Sequence, residues 1–185
     1  MIRKRIALVF IVVALSWVVL SGGHAWAEQD RGSTGDPALV HLDFQVNLPT
    51  ILFLRIGSAG NTIDTVSFSV TDIPENQPTV PGSLSPDVRV GAIVADNAPI
   101  RLRADSSGDM LSGGDNMPFS TISCTGTGDF SSVSGLAFDT TANQLIWSST
   151  GRGFRQGTFA YTYTNSYDYP PGTYTGTVTY TLSAP

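Results

Sequence analysis

Alternation of apolar and polar residues is the dominant pattern along this chain, and it is clearest near the C-terminus. Threonine occupies every second position from 173 to 181, so the apolar residues between them share one face of an extended segment. A period of two carried by β-branched and aromatic residues predicts a strand with one buried and one solvated face. Its apolar face comprises Tyr174, Val178, Tyr180 and Leu182.

The same alternation predicts a strand over residues 40–48, where polar residues separate five large apolar ones. Pro49 ends this segment, because proline cannot donate a hydrogen bond to a ladder. The run that follows, Ile51–Ile56, is apolar at nearly every position, which predicts a strand covered on both faces or one at the edge of a sandwich. The apolar positions of the first segment are Val40, Leu42, Phe44, Val46 and Leu48.

Shorter runs bounded by glycine, proline, aspartate or asparagine predict several more strands, whereas no stretch has the 3.6-residue period of an amphipathic helix. Residues 159–164 and the terminal strand are expected to pair as an antiparallel hairpin. We therefore predict an all-β, immunoglobulin-like antiparallel two-sheet sandwich, with a jelly roll as the alternative. The other predicted strands are residues 66–70, 88–94, 100–104, 119–123, 133–138 and 144–148.

The N-terminus has the three parts of a secretory signal peptide. Basic residues at positions 3–5 precede an uncharged apolar stretch from 6 to 20, and Ala25-Trp26-Ala27 provides a small-residue cleavage site. We expect cleavage after Ala27 and a location in the periplasm or on the extracellular cell surface. The predicted organisation is a signal peptide over 1–27, a flexible polar segment over 28–37 and one sandwich domain over 38–185, with no later membrane span.

Removing residues 1–27 leaves seven basic residues against fifteen acidic ones, a formal charge of −8. Such a surface argues against nucleic acid as a partner. Cys124 is the only cysteine, so the domain has no internal disulfide and must be stabilised by its core. We interpret Cys124 as a small buried apolar residue; a reactive thiol or an intermolecular bridge is the alternative.

No catalytic constellation stands out, and we predict that the protein is not an enzyme and has no cofactor. His41 is the only histidine after the signal peptide, and no nucleophile motif or zinc-ligand spacing is present. The loop over 105–116 offers oxygen ligands for calcium, but its spacing fits turn chemistry better than an EF-hand. Tyr167 and Tyr169 lie in a predicted loop and are candidate carbohydrate contacts. The oxygen ligands of the calcium alternative are Asp105, Asp109, Asp115 and Asn116.

With its signal peptide, short polar N-terminus, early alternating strand and Thr/Tyr-rich ending, the chain resembles bacterial fimbrial or pilus subunits, without the paired cysteines of the commonest chaperone–usher pilins. That resemblance implies strand donation, in which an extended segment of one subunit completes the sandwich of the next. The donor segment would be residues 40–48; the alternative is that they form the first strand of their own domain. The C-terminal strand is also similar to the close of WxL cell-wall-binding domains, with Tyr180 where their tryptophan stands.

These patterns lead to one hypothesis and one alternative. We expect an exported, non-enzymatic structural or adhesive surface protein that assembles through strand edges with its own copies or other surface subunits. The alternative is a secreted carbohydrate- or peptidoglycan-binding module with cell-wall glycan as its partner. The residues expected to donate or pair at an edge are Val40, Leu42, Phe44, Val46, Leu48, Tyr174, Val178, Tyr180 and Leu182.

Overall fold

A computed structural model describes residues 30–60 and 63–185. The predicted signal peptide lies outside the described residues, as do the first two positions of the predicted flexible segment. The chain divides into two units, the first ending at Val46 and the second comprising Asn47–Pro185. This division falls inside the predicted domain 38–185. Among the described residues, no helix has the length and apolar character that a bilayer crossing requires.

The second unit is all-β, with two short 3₁₀ turns, and its strands are antiparallel throughout. The strands are β1 (Ile51–Ile56), β2 (Thr79–Pro81), β3 (Asp87–Ile93), β4 (Pro99–Asp105), β5 (Asp109–Ser112), β6 (Asp115–Pro118), β7 (Ile122–Gly126), β8 (Leu136–Ala137), β9 (Gln144–Thr150), β10 (Gly153–Thr164) and β11 (Thr179–Ser183). The 3₁₀ turns are Phe119–Thr121 and Gly128–Phe130.

Two sheets pack against each other, which confirms the predicted all-β antiparallel sandwich. The larger sheet has the strand order β1-β3-β10-β7-β8, with β2 also pairing with β10. The smaller sheet has the order β11-β4-β9, and β5 and β6 form a separate hairpin. The two packed layers bury one face of each sheet, as an amphipathic sheet requires.

The twelve-residue strand β10 organises the larger sheet. Its first half pairs with β3, and its second half pairs with β7 on one edge and β2 on the other. Inward residues of β10 alternate with outward ones, so Phe159, Tyr161 and Tyr163 all enter the core. Val88 and Val90 of β3 and Ile100 and Leu102 of β4 are fully buried beside them.

Four of the predicted strands lie at or close to their predicted bounds. β1 has the predicted bounds, and β3, β4 and β9 lie within two residues of theirs. The weaker prediction over 119–123 is displaced, because residues 119–121 form a 3₁₀ turn before β7 begins. Only residues 136–137 of the segment 133–138 form a strand. Residues 63–70 do not form the predicted strand over 66–70. Two hydrogen bonds between Ser67 and Ser83 hold this segment beside the chain that follows β2.

The predicted hairpin between residues 159–164 and the terminal strand is wrong. β10 belongs to the larger sheet, whereas β11 pairs with β4 in the smaller one. The connection over 165–178 crosses between the sheets, so the two aromatic faces meet across the interior and not side by side. The rings of Phe159 and Tyr180 lie 6.3 Å apart, and the hydroxyls of Tyr161 and Tyr180 are 2.8 Å apart.

Two other local predictions also differ from the structure. The expected loop over 105–116 contains most of the β5–β6 hairpin, in which Leu111 pairs with Asn116 across a turn at Gly113. Residues 40–48 do not form the expected strand, because no strand of the described residues makes a ladder with them.

Gly157 on β10 lies where the larger sheet leaves no room for a side chain. A Cβ atom there would overlap the carbonyl oxygen of Thr127 and press on the ring of Phe130. We predict that Gly157→Ala lowers the free energy of unfolding by about 3 kcal/mol, the cost of an overpacked site that can relax only by moving backbone. Urea unfolding measures this difference.

Gly91→Ala is the matched control, because the nearest atom to its Cβ would be the Cβ of Phe53 at 3.4 Å. We expect this variant to stay within about 1 kcal/mol of the parent. Equal destabilisation of the two variants would contradict the close packing of Gly157 against the connection after β7.

Candidate functional site

The C-terminal strand β11 forms one edge of the smaller sheet. It pairs with β4 from Thr179 to Ser183, and no strand of the described residues pairs with its other edge. Its outward residues are Thr179, Thr181 and Ser183, so the strand carries no charge on its outer face. The free N–H and C=O groups of such an edge are available to another extended segment.

The inward side chains of β11 are only half-buried, although they pack on the core. Val178, just before the strand, and Tyr180 and Leu182 within it all retain accessible surface. By contrast, Ile100 and Leu102 on the neighbouring β4 are completely buried. The apolar interior of the sandwich is therefore incompletely covered along this edge.

The first strand, β1, is the corresponding edge of the larger sheet and contacts β11. Its inward residues Leu52, Leu54 and Ile56 are also half-buried against the core. We name the side of the sandwich bounded by β1 and β11 the open side. Within the described part of the chain, neither strand is paired on its second edge, and both carry apolar side chains that further packing would cover.

The opposite side of the sandwich is closed by the connection between β7 and β9. The ring of Phe130 packs on Trp147 with centroids 4.9 Å apart, and the Trp147 indole N–H donates to the carbonyl of Asp129 at 3.1 Å. Gln144 at the start of β9 donates to the carbonyl of Ala137 at 2.7 Å. These contacts bury the inward residues of β9. The sandwich is therefore closed on this side, in contrast to the open side.

Residues 40–48 present their apolar side chains to solvent. Large apolar residues are seldom exposed in series on a monomeric protein, and a contiguous run of them marks an interaction surface. Most of the segment lies in the first unit, and Leu48 lies in the second. The exposed fractions are 63% for Val40, 73% for Leu42, 84% for Phe44, 79% for Val46 and 71% for Leu48.

Of the four C-terminal edge candidates, Tyr174 does not lie at the strand edge. Its neighbour Thr175 forms an isolated bridge with Leu111 of β5, and the Tyr174 hydroxyl donates to the carbonyl of Pro170 at 2.9 Å. The structure therefore places Val178, Tyr180 and Leu182 together and leaves Tyr174 outside the strand, packed against Tyr169. At position 176 only glycine fits, because a Cβ atom there would lie 2.8 Å from the Phe119 ring and 2.9 Å from Met110.

The two candidate ligand tyrosines have different environments. Tyr167 is exposed, and its hydroxyl donates to the carboxylate of Glu75, which lowers the pKa of Glu75 and raises that of Tyr167. Tyr169 is half-buried against the core and packs edge-on against Tyr174 at 6.4 Å. They do not form a common platform, although both lie in a loop as expected.

The acidic loop makes local hydrogen bonds. Asp105 accepts from the backbone N–H and the hydroxyl of Ser107, which lowers the pKa of its carboxyl group. Asp109 accepts from the Asn116 amide at 2.9 Å across the β5–β6 hairpin. Within residues 30–60 and 63–185, no cluster of three or more metal-ligating side chains occurs.

Cys124 on β7 is fully buried, as predicted. Burial raises the pKa of its thiol to about 12, and burial likewise raises the pKa of the hydroxyls of Tyr161 on the neighbouring β10 and of Tyr180 on β11 of the facing sheet. A protonated thiol inside the core is a poor nucleophile. The structure therefore supports the packing interpretation of Cys124.

The structure also reveals an exposed apolar patch that sequence analysis did not identify. It lies on the outer face of β1, β3 and β10 and consists of Ile51, Phe53, Ile93 and Phe154. The signal in the sequence was the run ILFLRI, which is apolar on both faces. Phe53 and Phe154 lie on either side of Gly91, and this arrangement depends on a strand register that alternation alone does not specify.

The chain matches no family model, no curated protein and no solved structure. Its function must therefore be argued from the edges, faces and segments described above.

Alkaline pH should destabilise the fold because the Cys124 thiol and the hydrogen-bonded hydroxyls of Tyr161 and Tyr180 lie inside the sandwich in their neutral forms, with raised pKa values. The unfolded chain releases these protons near pH 9–10, whereas the folded protein holds them to higher pH. Their contribution to stability is therefore complete below about pH 8 and is lost as the pH rises through the folded pKa values. We predict that urea unfolding at pH 7.5, 9 and 10.5 shows a steady decrease in the free energy of unfolding.

Cys124→Ala should make this decrease shallower by up to about 1.4 kcal/mol per pH unit, because one titrating group has been removed. Ser106→Ala is the control, since Ser106 is equally buried but does not titrate in this range. An unchanged slope in Cys124→Ala would contradict the assigned burial of the thiol.

Proposed function

We propose that this chain is an exported, non-enzymatic structural subunit that assembles at the cell surface by strand pairing between copies, in the manner of fimbrial subunits. The observation that carries the proposal is the coexistence of an open β11 edge with a segment outside the sheets, 40–48, whose apolar side chains are exposed. Each feature supplies what the other lacks. The segment needs a ladder and a cover, and the edge offers both.

The polarity pattern favours β11 as the acceptor edge. β11 has hydroxyl side chains outward and half-buried apolar side chains inward. Residues 40–48 also carry polar side chains on one face and apolar ones on the other, so pairing with β11 places like faces together. β1 is apolar on its outer face as well, through Ile51 and Phe53, and would put one face of the segment in an unsuitable environment.

Pro49 and Thr50 separate the segment from β1, which disfavours a hairpin between the segment and β1. A two-residue hairpin requires a positive φ at its first central position, and proline fixes φ near −65°. The segment therefore cannot fold back on β1 through a tight turn. This local constraint leaves β11 as the better acceptor of the two edge strands.

The magnitudes are consistent with assembly that depends on both side chains and backbone. Burying five large apolar side chains contributes about 1.5–3 kcal/mol each, or about 7–15 kcal/mol in total. Association costs about 4–15 kcal/mol in lost freedom. Because these ranges overlap, the main-chain ladder and the correct register are needed for a stable complex.

Substitutions on the two faces of the segment test the proposal. In the chain from residue 28 onward, we predict that Leu42→Ser with Phe44→Ser weakens self-association at least about a hundredfold, since two large apolar groups no longer enter the partner. Asp43→Ser with Gln45→Ser alters the opposite face and should leave self-association within about threefold. Sedimentation velocity at protein concentrations of about 1–100 µM, which span a dissociation constant in the micromolar range, measures the self-association of both variants.

A second measurement separates donation from other forms of association. The chain lacking residues 28–48 should be monomeric and should bind a synthetic peptide of residues 38–50, whereas a peptide with serine at positions 42 and 44 should not bind. If the truncated chain self-associates as the parent does, or if all the chains are monomeric and the peptide does not bind, strand donation is excluded.

A further inference from the structure

The edge of β11 that is left unpaired within the described residues lies beside a fixed order of charges on β4. Three short hydroxyl side chains on the outer face of β11 each lie opposite a charged residue of β4. The rows are Ser183 with Arg101, Thr181 with Arg103 and Thr179 with Asp105. A strand that joins this edge would meet two positive rows and then a negative one, across the hydroxyl side chains.

Of the two arginines, Arg101 is the one that such a strand can use. Arg103 is half-buried, and its guanidinium donates to the carbonyl of Asn143 at 2.8 Å, on the β9 side of β4 and away from β11. Arg101 is exposed and makes no ion pair within the described residues. An acidic side chain is therefore favoured in the row of Arg101 and Ser183.

Segment 40–48 carries a single carboxylate, Asp43, on its polar face. With Asp43 in the row of Ser183, antiparallel pairing would match four apolar side chains of the segment with inward residues along β11. Parallel pairing would match three and carry Val46 and Leu48 past the end of β11, so the antiparallel orientation covers more apolar surface. The four antiparallel matches are Leu42 with Ala184, Phe44 with Leu182, Val46 with Tyr180 and Leu48 with Val178.

β1 begins at the end of the sandwich where β11 ends. A series of paired residues leads from Ile51, across the larger sheet and the short turn between β9 and β10, to the last residue of β11 in the smaller sheet. The pairs are Ile51 with Ile93, Ala92 with Gly153, Thr150 with Pro99 and Arg101 with Ser183. A segment that leads directly into β1 therefore arrives beside the Ser183 end of β11.

This placement prevents antiparallel pairing within one copy. In that orientation Leu48 would lie beside Val178, about 17 Å from Ser183 for a rise of about 3.4 Å per residue. The link from Leu48 to Ile51 spans at most about 11 Å. One copy can therefore pair its segment with its own β11 only in the parallel orientation, and an antiparallel partner has to be a second copy.

We propose that segment 40–48 of one copy pairs antiparallel with β11 of a second copy, and that an ion pair between Asp43 and Arg101 across Ser183 selects this register. Neighbouring strands lie about 4.8 Å apart, so the two Cα atoms are about 10 Å apart, a distance that the long arginine side chain spans over a serine. The inference rests on the strand assembly proposed above and adds its orientation, its register and the two residues that determine them.

Charge reversal tests the ion pair in the chain from residue 28 onward. Asp43→Lys should weaken self-association about tenfold, because a repulsion replaces an attraction worth about threefold. Arg101→Glu alone should have a similar effect, and the two changes together should restore the affinity to within about threefold of the parent. Arg103→Glu is the matched control and should not restore Asp43→Lys. Sedimentation velocity measures each dissociation constant.

Disulfide trapping tests the orientation. Asn47→Cys with Thr179→Cys places two thiols side by side in the antiparallel register, so mild oxidation should join separate copies into covalent dimers and longer species on a non-reducing gel. His41→Cys with Thr179→Cys brings the thiols together only in a parallel orientation and should give no such species. Cys124 is fully buried and does not compete.

The outcomes separate this inference from the assembly on which it rests. Restoration by Arg103→Glu, cross-linking of the His41 pair, or cross-linking of the Asn47 pair within a single chain overturns the register or the orientation and leaves strand assembly standing. The same holds if the Asn47 pair fails to link in a chain that still self-associates. A parent chain that is monomeric and that no pair cross-links overturns both proposals.

Discussion

The packing of Tyr180 against Phe159 and Tyr161 is the contact on which the architecture of the C-terminus depends. It joins the last strand to the core through an aromatic pair and a hydroxyl–hydroxyl hydrogen bond between the sheets. Because β11 is held from inside, it needs only one ladder partner, β4, to stay in place. The same arrangement leaves its second edge free. Stability of the strand and availability of its edge therefore have one physical origin.

The two sides of the sandwich differ because a connecting segment covers one side and not the other. Between β7 and β9 it supplies Phe130, Asp129 and Ala137, which cover Trp147 and fix Gln144. No comparable connection of the described residues covers the inward side chains of β1 and β11. An additional strand would complete the open side with the same kind of apolar contact that already closes the other. The uncovered apolar surface is thus confined to the inward side chains of β1 and β11.

Apolar runs and alternation in the sequence located β1, β3, β4 and β9, and alternation identified the solvated threonine face of β11. Alternation also predicted strands over 40–48 and 66–70 that do not form. It could not predict partners, because a period of two specifies a face and leaves the neighbouring strand undetermined. The hairpin prediction for β10 failed for this reason. The exposed apolar patch on the outer face of β1, β3 and β10 was missed for the same reason, since Phe53 and Phe154 are brought together only through the register of both with Gly91.

Natural sheets usually protect an exposed edge with a charge, a proline or a bulge. The smaller sheet shows the contrast between its two edges. The β4–β9 ladder shifts register between Leu102 and Arg103, so the β9 edge is irregular, whereas the β4–β11 ladder runs without interruption. β11 contains neither proline nor charged residue. An edge that is regular, uncharged and backed by half-buried apolar side chains has none of the features that prevent a further strand from joining, and a segment with the matching polarity lies in the same chain.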